Sequence, residues 1–556
     1  MARITINSRE IELPDREPLN GIQAAQRAGV EIPYYCWHPG LSVVASCRMC
    51  LCETGRKNPE TGEVTMMPKL VPACQTPATD GTVFVTDSEK VQQARAQVEE
   101  DLLLRHPIDC PICDKAGECL LQDYYFKYGQ DQRRADLKPF TSRRRPVGET
   151  VTLFVDRCVM CSRCVRFCRE VTGTNELMVV NRGSHEEIDV VPGYPLDNKM
   201  AGNVVDLCPV GALGDKDFLY QQRVWFMQKH DHVCAGCSTG CSIYVDENQD
   251  RIYRLLPREN LHVNKWWMCD EGRYGYHHVH SPNRQTEPRR RDGEEYVNVE
   301  WPDLVTELDR KVQAAGRVAG VLSPHLTVEE AYLLARYLRG IDPEAPLVLG
   351  PVPTVGEDER FPSGFTIRAE KCPNRRGVEE VIAHFTGKVA TLDDLLPQIE
   401  AAAGNGDARR IEAVWVSGGY KTDWIDEATA ARLETVPLLI VQDLFASPLW
   451  ERATFQLPGA AFAERSGSFV NHADRLQSFA WAVRPPAGAR VEGSLYWQLL
   501  GRRGMYNAAE VLDELSREIL YFAVAAEGVP PVGVDLKVNL LADETAAQSI
   551  EEGTTA

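Results

Sequence analysis

The stretch Cys158-Val159-Met160-Cys161-Ser162-Arg163-Cys164-Val165-Arg166-Phe167-Cys168 sets four thiols at intervals of three, three and four residues, and Cys208-Pro209 follows 40 residues later. Spacing this short lets one loop aim several sulfurs at a common point, as a metal centre requires. Working outward, three more groups appear. Cys36, Cys47, Cys50 and Cys74 form the first, His106, Cys110, Cys113 and Cys119 the second, and Cys234, Cys237, Cys241 and Cys269 the last. Seventeen of the 18 cysteines lie between Cys36 and Cys269, and the 287 residues that follow hold only Cys372. A disulfide framework would staple the whole chain. Four local nests point instead to iron–sulfur centres in series, moving electrons one at a time.

At 556 residues the chain exceeds a single core, and about three to five domains are expected. It is 44% hydrophobic and 25% charged, with a net charge of −19. That acidic balance excludes the basic face a nucleic-acid partner needs. The runs Arg143-Arg144-Arg145 and Arg289-Arg290-Arg291 each lie beside a proline and read as solvated linkers, with partner docking as the second reading. The first residues alternate apolar and polar, unlike a secretory signal. No apolar run approaches the ~20 residues of a membrane helix. A reducing, cytosolic compartment is expected, with any membrane reached through a partner.

Local patterns place the nests. Ile4 and Ile6, then Ile11 and Leu13, predict a hairpin turning at Asn7-Ser8, followed by a helix over 18–29 and a strand over 82–86. Thr86 and Glu89 fit a capping box for a helix whose apolar stripe is Val91, Ala94, Val98 and Leu102 and which Pro107 ends. Beyond Arg284 the pattern becomes strand–helix alternation. Strands are expected at Val318–Leu322, Leu347–Leu349, 413–416 and 437–441, and a helix over 327–338 with Thr327 and Glu330 as its capping box. This predicts a mostly parallel sheet.

Each nest carries its own argument. The Cys47–Cys50 pair follows a hairpin and a helix, the setting of a β-grasp ferredoxin whose four thiolates hold a 2Fe–2S cluster. Cys52 reads as a buried small hydrophobe. In the second nest, Pro107, Pro111 and Gly117 wrap the chain around a histidine and three cysteines. A structural zinc ion can use the same residue types in both places. The third nest resembles bacterial two-cluster ferredoxins, in which the fourth cysteine of a run serves the other cluster. Cys158, Cys161, Cys164 and Cys208 should therefore share one 4Fe–4S cluster. A second cluster would need thiols at 198, 201 and 204, where Asn198, Ala201 and Val204 stand, so Cys168 is an orphan.

The fourth nest resembles the N-terminal 4Fe–4S site of molybdopterin oxidoreductases, and Trp301-Pro302-Asp303-Leu304 and the 456–471 stretch resemble their α/β domain. Active relatives of that kind carry Lys or Arg two residues after the last cluster cysteine. Glu271 stands there, and Cys372 reads as packing rather than a molybdenum ligand. No molybdopterin is expected.

Four sites in this order resemble the large iron–sulfur subunit (the G subunit) of bacterial NADH-quinone oxidoreductase, respiratory complex I. Cys47-Arg-Met-Cys50, His106-Pro-Ile-Asp-Cys-Pro-Ile-Cys113 and 369–377 carry the likeness. The resemblance implies a multidomain α+β and α/β chain: a β-grasp 2Fe–2S ferredoxin domain (1–86), a 4Fe–4S domain with one histidine and three cysteines as ligands (87–129), a linker (130–149), a degenerate ferredoxin-like 4Fe–4S domain (150–226), a molybdopterin-oxidoreductase-type 4Fe–4S domain (227–283), a degenerate α/β domain (284–541) and a fraying tail (542–556). It implies one 2Fe–2S cluster on Cys36, Cys47, Cys50 and Cys74, and three 4Fe–4S clusters on the His106, Cys158 and Cys234 sets given above. It also implies an electron relay on the cytoplasmic peripheral arm, with no NADH or quinone site of its own. The partners implied are the flavin/NADH-binding subunit, a small 2Fe–2S subunit, a two-cluster ferredoxin-like subunit and the quinone-site subunit. Electrons would pass through the 2Fe–2S site, the Cys158 site and the His106 site, with the Cys234 site off that route. The alternative is an electron-transfer subunit of a soluble NAD-linked formate dehydrogenase or hydrogenase complex.

Overall fold

The computed structural model describes residues 2–14, 18–132, 134–135, 137–141, 143–183, 185–403 and 410–537; the tail expected from 542 lies outside the described residues. The chain divides into two compact units, Met1–Met227 with Phe361–Gly364, and Gln228–Arg360 with Phe365–Ala556.

The first unit opens with a six-stranded β-grasp sheet. Its spatial order is Arg9–Leu13, Ala2–Ile6, Thr82–Val85, Leu51–Lys57 and Val64–Met66, with Val71–Pro72 paired to Leu51–Lys57. Only Ala2–Ile6 and Thr82–Val85 run parallel. The period-2 pattern that predicts the hairpin also buries Ile4 and Ile6 against Ile22, Ala24 and Ala25 of the helix Gly21–Arg27. That helix is shorter than the expected 18–29. Asn20 and Gln23 close a capping box at its start, so the chain before residue 21 is committed to extended structure.

The next helix, Glu89–Leu103, corrects two expectations. Ser88, not Thr86, is its N-cap, accepting from Val91 N, because Asn7 already engages both the backbone and the hydroxyl of Thr86. Its buried face is Val91, Arg95 and Glu99 rather than the apolar stripe alone. Those polar groups go inside because partners meet them there: Glu99 accepts from Tyr35 Oη, and Arg95 donates to Tyr128 Oη at 3.3 Å on the helix Leu120–Tyr128.

The rest of the first unit is a small ferredoxin lobe. It holds a three-stranded sheet (Arg144–Pro146, Val151–Phe154, Leu213–Asp215), a hairpin (Leu177–Val180, Glu187–Val190) and the short helices Arg163–Phe167 and Asn203–Leu207. The Arg143-Arg144-Arg145 run is thus not a free linker. It enters an edge strand, with Arg143 paired to Asp156 at 2.9 Å and to Glu187 at 2.8 Å, and Arg145 to Asp189 at 3.1 Å.

The second unit starts with an antiparallel meander, Gln228–Val233, Ser242–Asn248 and Arg251–Pro257. An eight-stranded sheet follows, whose four inner pairings from Leu347–Leu349 through Val318–Leu322, Ala413–Ser417, Leu438–Asp443 and Phe455–Pro458 are all parallel. Helices cover both faces. Trp415 and Ile440 pack with the helices Trp301–Ala315 and Val328–Ile341, whereas the alternate residues Val414, Val416, Leu439 and Val441 pack on the other side with the helix Glu427–Leu433. Burial on both faces explains the near-continuous apolar strands. Thr327 and Glu330 form the expected capping box. Arg289-Arg290-Arg291 is again no linker. It opens the strand Arg289–Asp292, which lies in the large sheet between Glu295–Asn298 and Phe455–Pro458, and Arg290 pairs with Glu307 at 2.7 Å.

Candidate metal centres

The first nest is made by loops at one end of the β-grasp sheet. Cys36, Cys50 and Cys74 are buried and Cys47 is partly so. The sulfurs meet as two pairs. A hydrogen bond from the Cys47 thiol pulls the Cys36 thiol down, and one from Cys74 does the same for Cys50. Pairing suits two metal ions that each take two thiolates. Ala45 and Arg48 adopt left-handed backbone to turn the loop this tightly. Cys52 lies on the strand Leu51–Lys57, fully buried in the apolar core, with its Sγ 3.6 Å from Val71 O. It is placed as packing, as its sequence position suggests.

The second nest follows Glu89–Leu103. Cys110, Cys113 and Cys119 are electrostatic neighbours in succession. His106 faces Arg157 and Asp109. Burial, aided by Arg157, pushes its imidazole down to about 4, so it is neutral and competent as a ligand near pH 7. Arg157 is itself pinned by Asp109 at 2.9 Å and stacks on Phe154. Arg223 Nη1 donates to Cys113 O at 2.8 Å and steadies the loop. The third nest's turn also supports this one: Gly211 approaches so closely that a Cβ there would overlap Cys113 Sγ.

In the third nest, one cavity is lined by Cys158, Cys161, Cys164 and Cys208, with Leu153, Ile188, Val210 and Leu213 as apolar walls. Left-handed Met160 and Ser162 wrap the loop inward, and Met160 N donates to Cys158 Sγ at 3.3 Å. Cys168 does not line this cavity. Its thiol faces Glu176, which accepts from Asn198 Nδ2 at 2.9 Å and from Thr174 Oγ1. Ala201 and Val204 are buried apolar groups.

The fourth nest lies in the second unit. Cys234, Cys237, Cys241 and Cys269 line one cavity together with Gly236, Thr239, Met268, Glu271 and Gly272. Gly236 N donates to Cys234 Sγ at 3.4 Å and Gly272 N to Cys269 Sγ at 3.3 Å. Amide donors to sulfur stabilise an anionic cluster. Glu271 forms a 2.6 Å ion pair with Lys371, a partner that no local spacing could have indicated. Cys234 also borders a second pocket with His278, His325, Lys421 and Arg465. Cys372 is buried beside Glu370 and does not line that pocket. Among the described residues, no three His, Cys, Asp or Glu side chains converge closely enough for a single metal ion. In the third and fourth nests the thiols surround cavities instead, an arrangement that suits a multi-iron cluster.

Comparison with known proteins agrees with this layout. Residues 1–89 match a 2Fe-2S iron-sulfur cluster binding domain, 95–134 the NADH-ubiquinone oxidoreductase-G iron-sulfur binding region, and 148–214 the ferredoxin-like domain of NADH-quinone oxidoreductase subunit 3. Residues 227–281 match the molybdopterin oxidoreductase Fe4S4 domain and 354–500 a molybdopterin oxidoreductase model. The NADH-quinone oxidoreductase G subunit of Rickettsia felis is 31% identical over 341 residues, covering 61% of this chain and 49% of that protein. This chain is a homologue of the NADH-quinone oxidoreductase G subunit. The G subunit of Streptomyces coelicolor is 33% identical, covering 61% of this chain and 39% of its own length. The NADH-ubiquinone oxidoreductase 75 kDa subunit of Reclinomonas americana is 35% identical, covering 57% and 45%. The chain thus spans about half the length of the curated relatives it matches. A solved chain of NAD+-reducing [NiFe]-hydrogenase aligns at 26% identity over 40% of this chain and 91% of its own, with a TM-score of 0.32.

Proposed function

We propose that the chain is the electron-relay subunit of an NADH:quinone oxidoreductase, taking single electrons from a flavin-bearing partner and handing them towards quinone. The observation that carries this reading is the cavity shared by Cys158, Cys161, Cys164 and Cys208 inside a unit that also holds two other nests, in a stretch matched in turn by the 2Fe-2S, oxidoreductase-G and subunit 3 ferredoxin-like family models. Clusters bound at the nests supply one-electron redox chemistry and no bond making.

The residues hold, dry and tune. Cys36, Cys47, Cys50 and Cys74 would hold a 2Fe–2S cluster. His106, Cys110, Cys113 and Cys119, then Cys158, Cys161, Cys164 and Cys208, then Cys234, Cys237, Cys241 and Cys269 would each hold a 4Fe–4S cluster. Neutral His106 makes its site less negative than an all-cysteine one. Apolar walls such as Leu153, Val210 and Leu213 exclude water from the third. The partners proposed are the flavin/NADH-binding subunit, a small 2Fe–2S subunit, a two-cluster ferredoxin-like subunit and the quinone-site subunit, on the cytoplasmic peripheral arm. No helix among the described residues is long and apolar enough to cross a membrane.

Anaerobic iron and sulfide analysis with EPR tests the reading. About fourteen irons per chain are expected, from one 2Fe and three 4Fe centres. A preparation without a 2Fe–2S signal, or with two 4Fe–4S signals instead of three, contradicts it at a named site. Bound zinc in place of iron overturns it altogether.

A further inference from the structure

Two arginines of the ferredoxin lobe are buried without a carboxylate. Arg166 is 2% exposed and Arg163 6%. Among the described residues neither stands at ion-pairing distance from an acidic side chain. Each instead donates to backbone carbonyls. Arg166 Nη1 bonds Ser42 O, and its Nη2 bonds both Cys36 O and Cys161 O, the latter at 3.2 Å. Arg163 Nη2 bonds Trp37 O at 2.7 Å and its Nη1 bonds Leu207 O at 3.1 Å. One guanidinium therefore joins the backbone of a first-nest cysteine to that of a third-nest cysteine. Its neighbour joins the residue after Cys36 to the residue before Cys208.

A buried guanidinium is costly unless an anion accompanies it. Carbonyl dipoles satisfy donors but leave the charge uncompensated. His38, beside the two cations, is an imidazole and supplies no anion. Glu170 is the acidic side chain that acts on Arg166, and it is already engaged by Ser42 and Arg169. The thiols of Cys161 and Cys36, with Glu170, are the groups whose charge would act on Arg166 from nearby. An iron–sulfur core with four thiolates is an anion, and reduction adds one more negative charge.

We propose that Arg166, seconded by Arg163, is the shared counter-charge of the first and third sites. It is a positioning residue: it ties the two ligand loops together through Cys36 and Cys161, and its charge raises the reduction potentials of both sites in step. A single electron passing from one site to the other then moves past a cation common to both, with no proton needed to balance it. This inference rests on the cluster assignment above.

The test uses the full chain with its clusters assembled anaerobically. Iron and sulfide are counted first, which checks the assignment separately, and EPR-monitored redox titration follows. In R166M, the reduced-to-oxidised ratio at fixed ambient potential should fall about tenfold at both the 2Fe–2S site and the ferredoxin-lobe 4Fe–4S site, about 59 mV for one electron. The His106 and Cys234 signals should move far less. R166K keeps the charge and should restore both midpoints. It cannot span three carbonyls, so the spin–spin interaction between the two reduced centres should weaken. If R166M loses its clusters, R163M carries the test, with the same direction of shift. A variant with full iron and unchanged midpoints, or an equal shift at all four sites, overturns the proposal.

Discussion

In the half of the ferredoxin lobe that Cys208 closes, four thiols line an apolar cavity; in the other half, Cys168 faces the carboxylate of Glu176. The two halves answer the same question differently: what fills the space beside a buried cysteine. On one side the protein keeps a lined hollow. On the other, Glu176, Asn198, Thr174 and Thr172 close a hydrogen-bonded cluster, with Ala201 and Val204 buried as apolar groups. Buried polar atoms are tolerated only when they satisfy one another, so the second half is a completed network rather than a void. Beside Cys168, polar side chains that bond one another stand where the other half of the lobe keeps its cavity.

The comparison breaks most sharply through paired substitutions. C208A should abolish the 4Fe–4S signal of the third site and remove about four irons per chain, whereas C168A should leave both unchanged. Equal losses in the two variants would mean that Cys168 is a ligand and that the halves are not distinct. The next effect crosses from the third nest to the second. G211A puts a methyl group into the Cys113 sulfur, so the His106 site should lose its cluster while the Cys208 site keeps its EPR signal. An unaltered iron content would show that the loop has room to retreat. The smallest effect belongs to the network. E176A leaves Asn198 and Thr174 without their acceptor and should cost about 1–3 kcal/mol in thermal or denaturant unfolding, with all clusters retained. A loss of the third-site signal instead would show that the network also shapes the occupied half.

Much of this was legible locally. The capping box at Thr327 and Glu330 and the strands Val318–Leu322 and Leu347–Leu349 follow from periodicity and end signals within a few residues. The expectation that Cys168 is an orphan comes from counting to 198, 201 and 204, and its thiol stands outside the third-nest cavity. The failures share a cause. Arg143-Arg144-Arg145 and Arg289-Arg290-Arg291 looked like linkers because their acidic partners, Asp156, Glu187 and Glu307, lie 13 to 44 positions away. Arg95 and Glu99 fall outside the expected apolar stripe, yet both are buried where Tyr128 and Tyr35 meet them. Lys371 as the partner of Glu271, 100 positions away, left no local trace.

Sequence alone grouped the thiols into four nests, because metal ligation on a loop demands short, regular spacing that is visible in one dimension. It also determined the parallel character of the large sheet, because strands buried on both faces must be apolar throughout. The tertiary structure alone decided which charges are compensated. The link from Cys36 through Arg166 to Cys161 spans 130 positions, and the pairing of Glu271 with Lys371 exists only after folding. Coulombic and hydrogen-bond partners are chosen by distance in space, and chain separation carries almost no information about it.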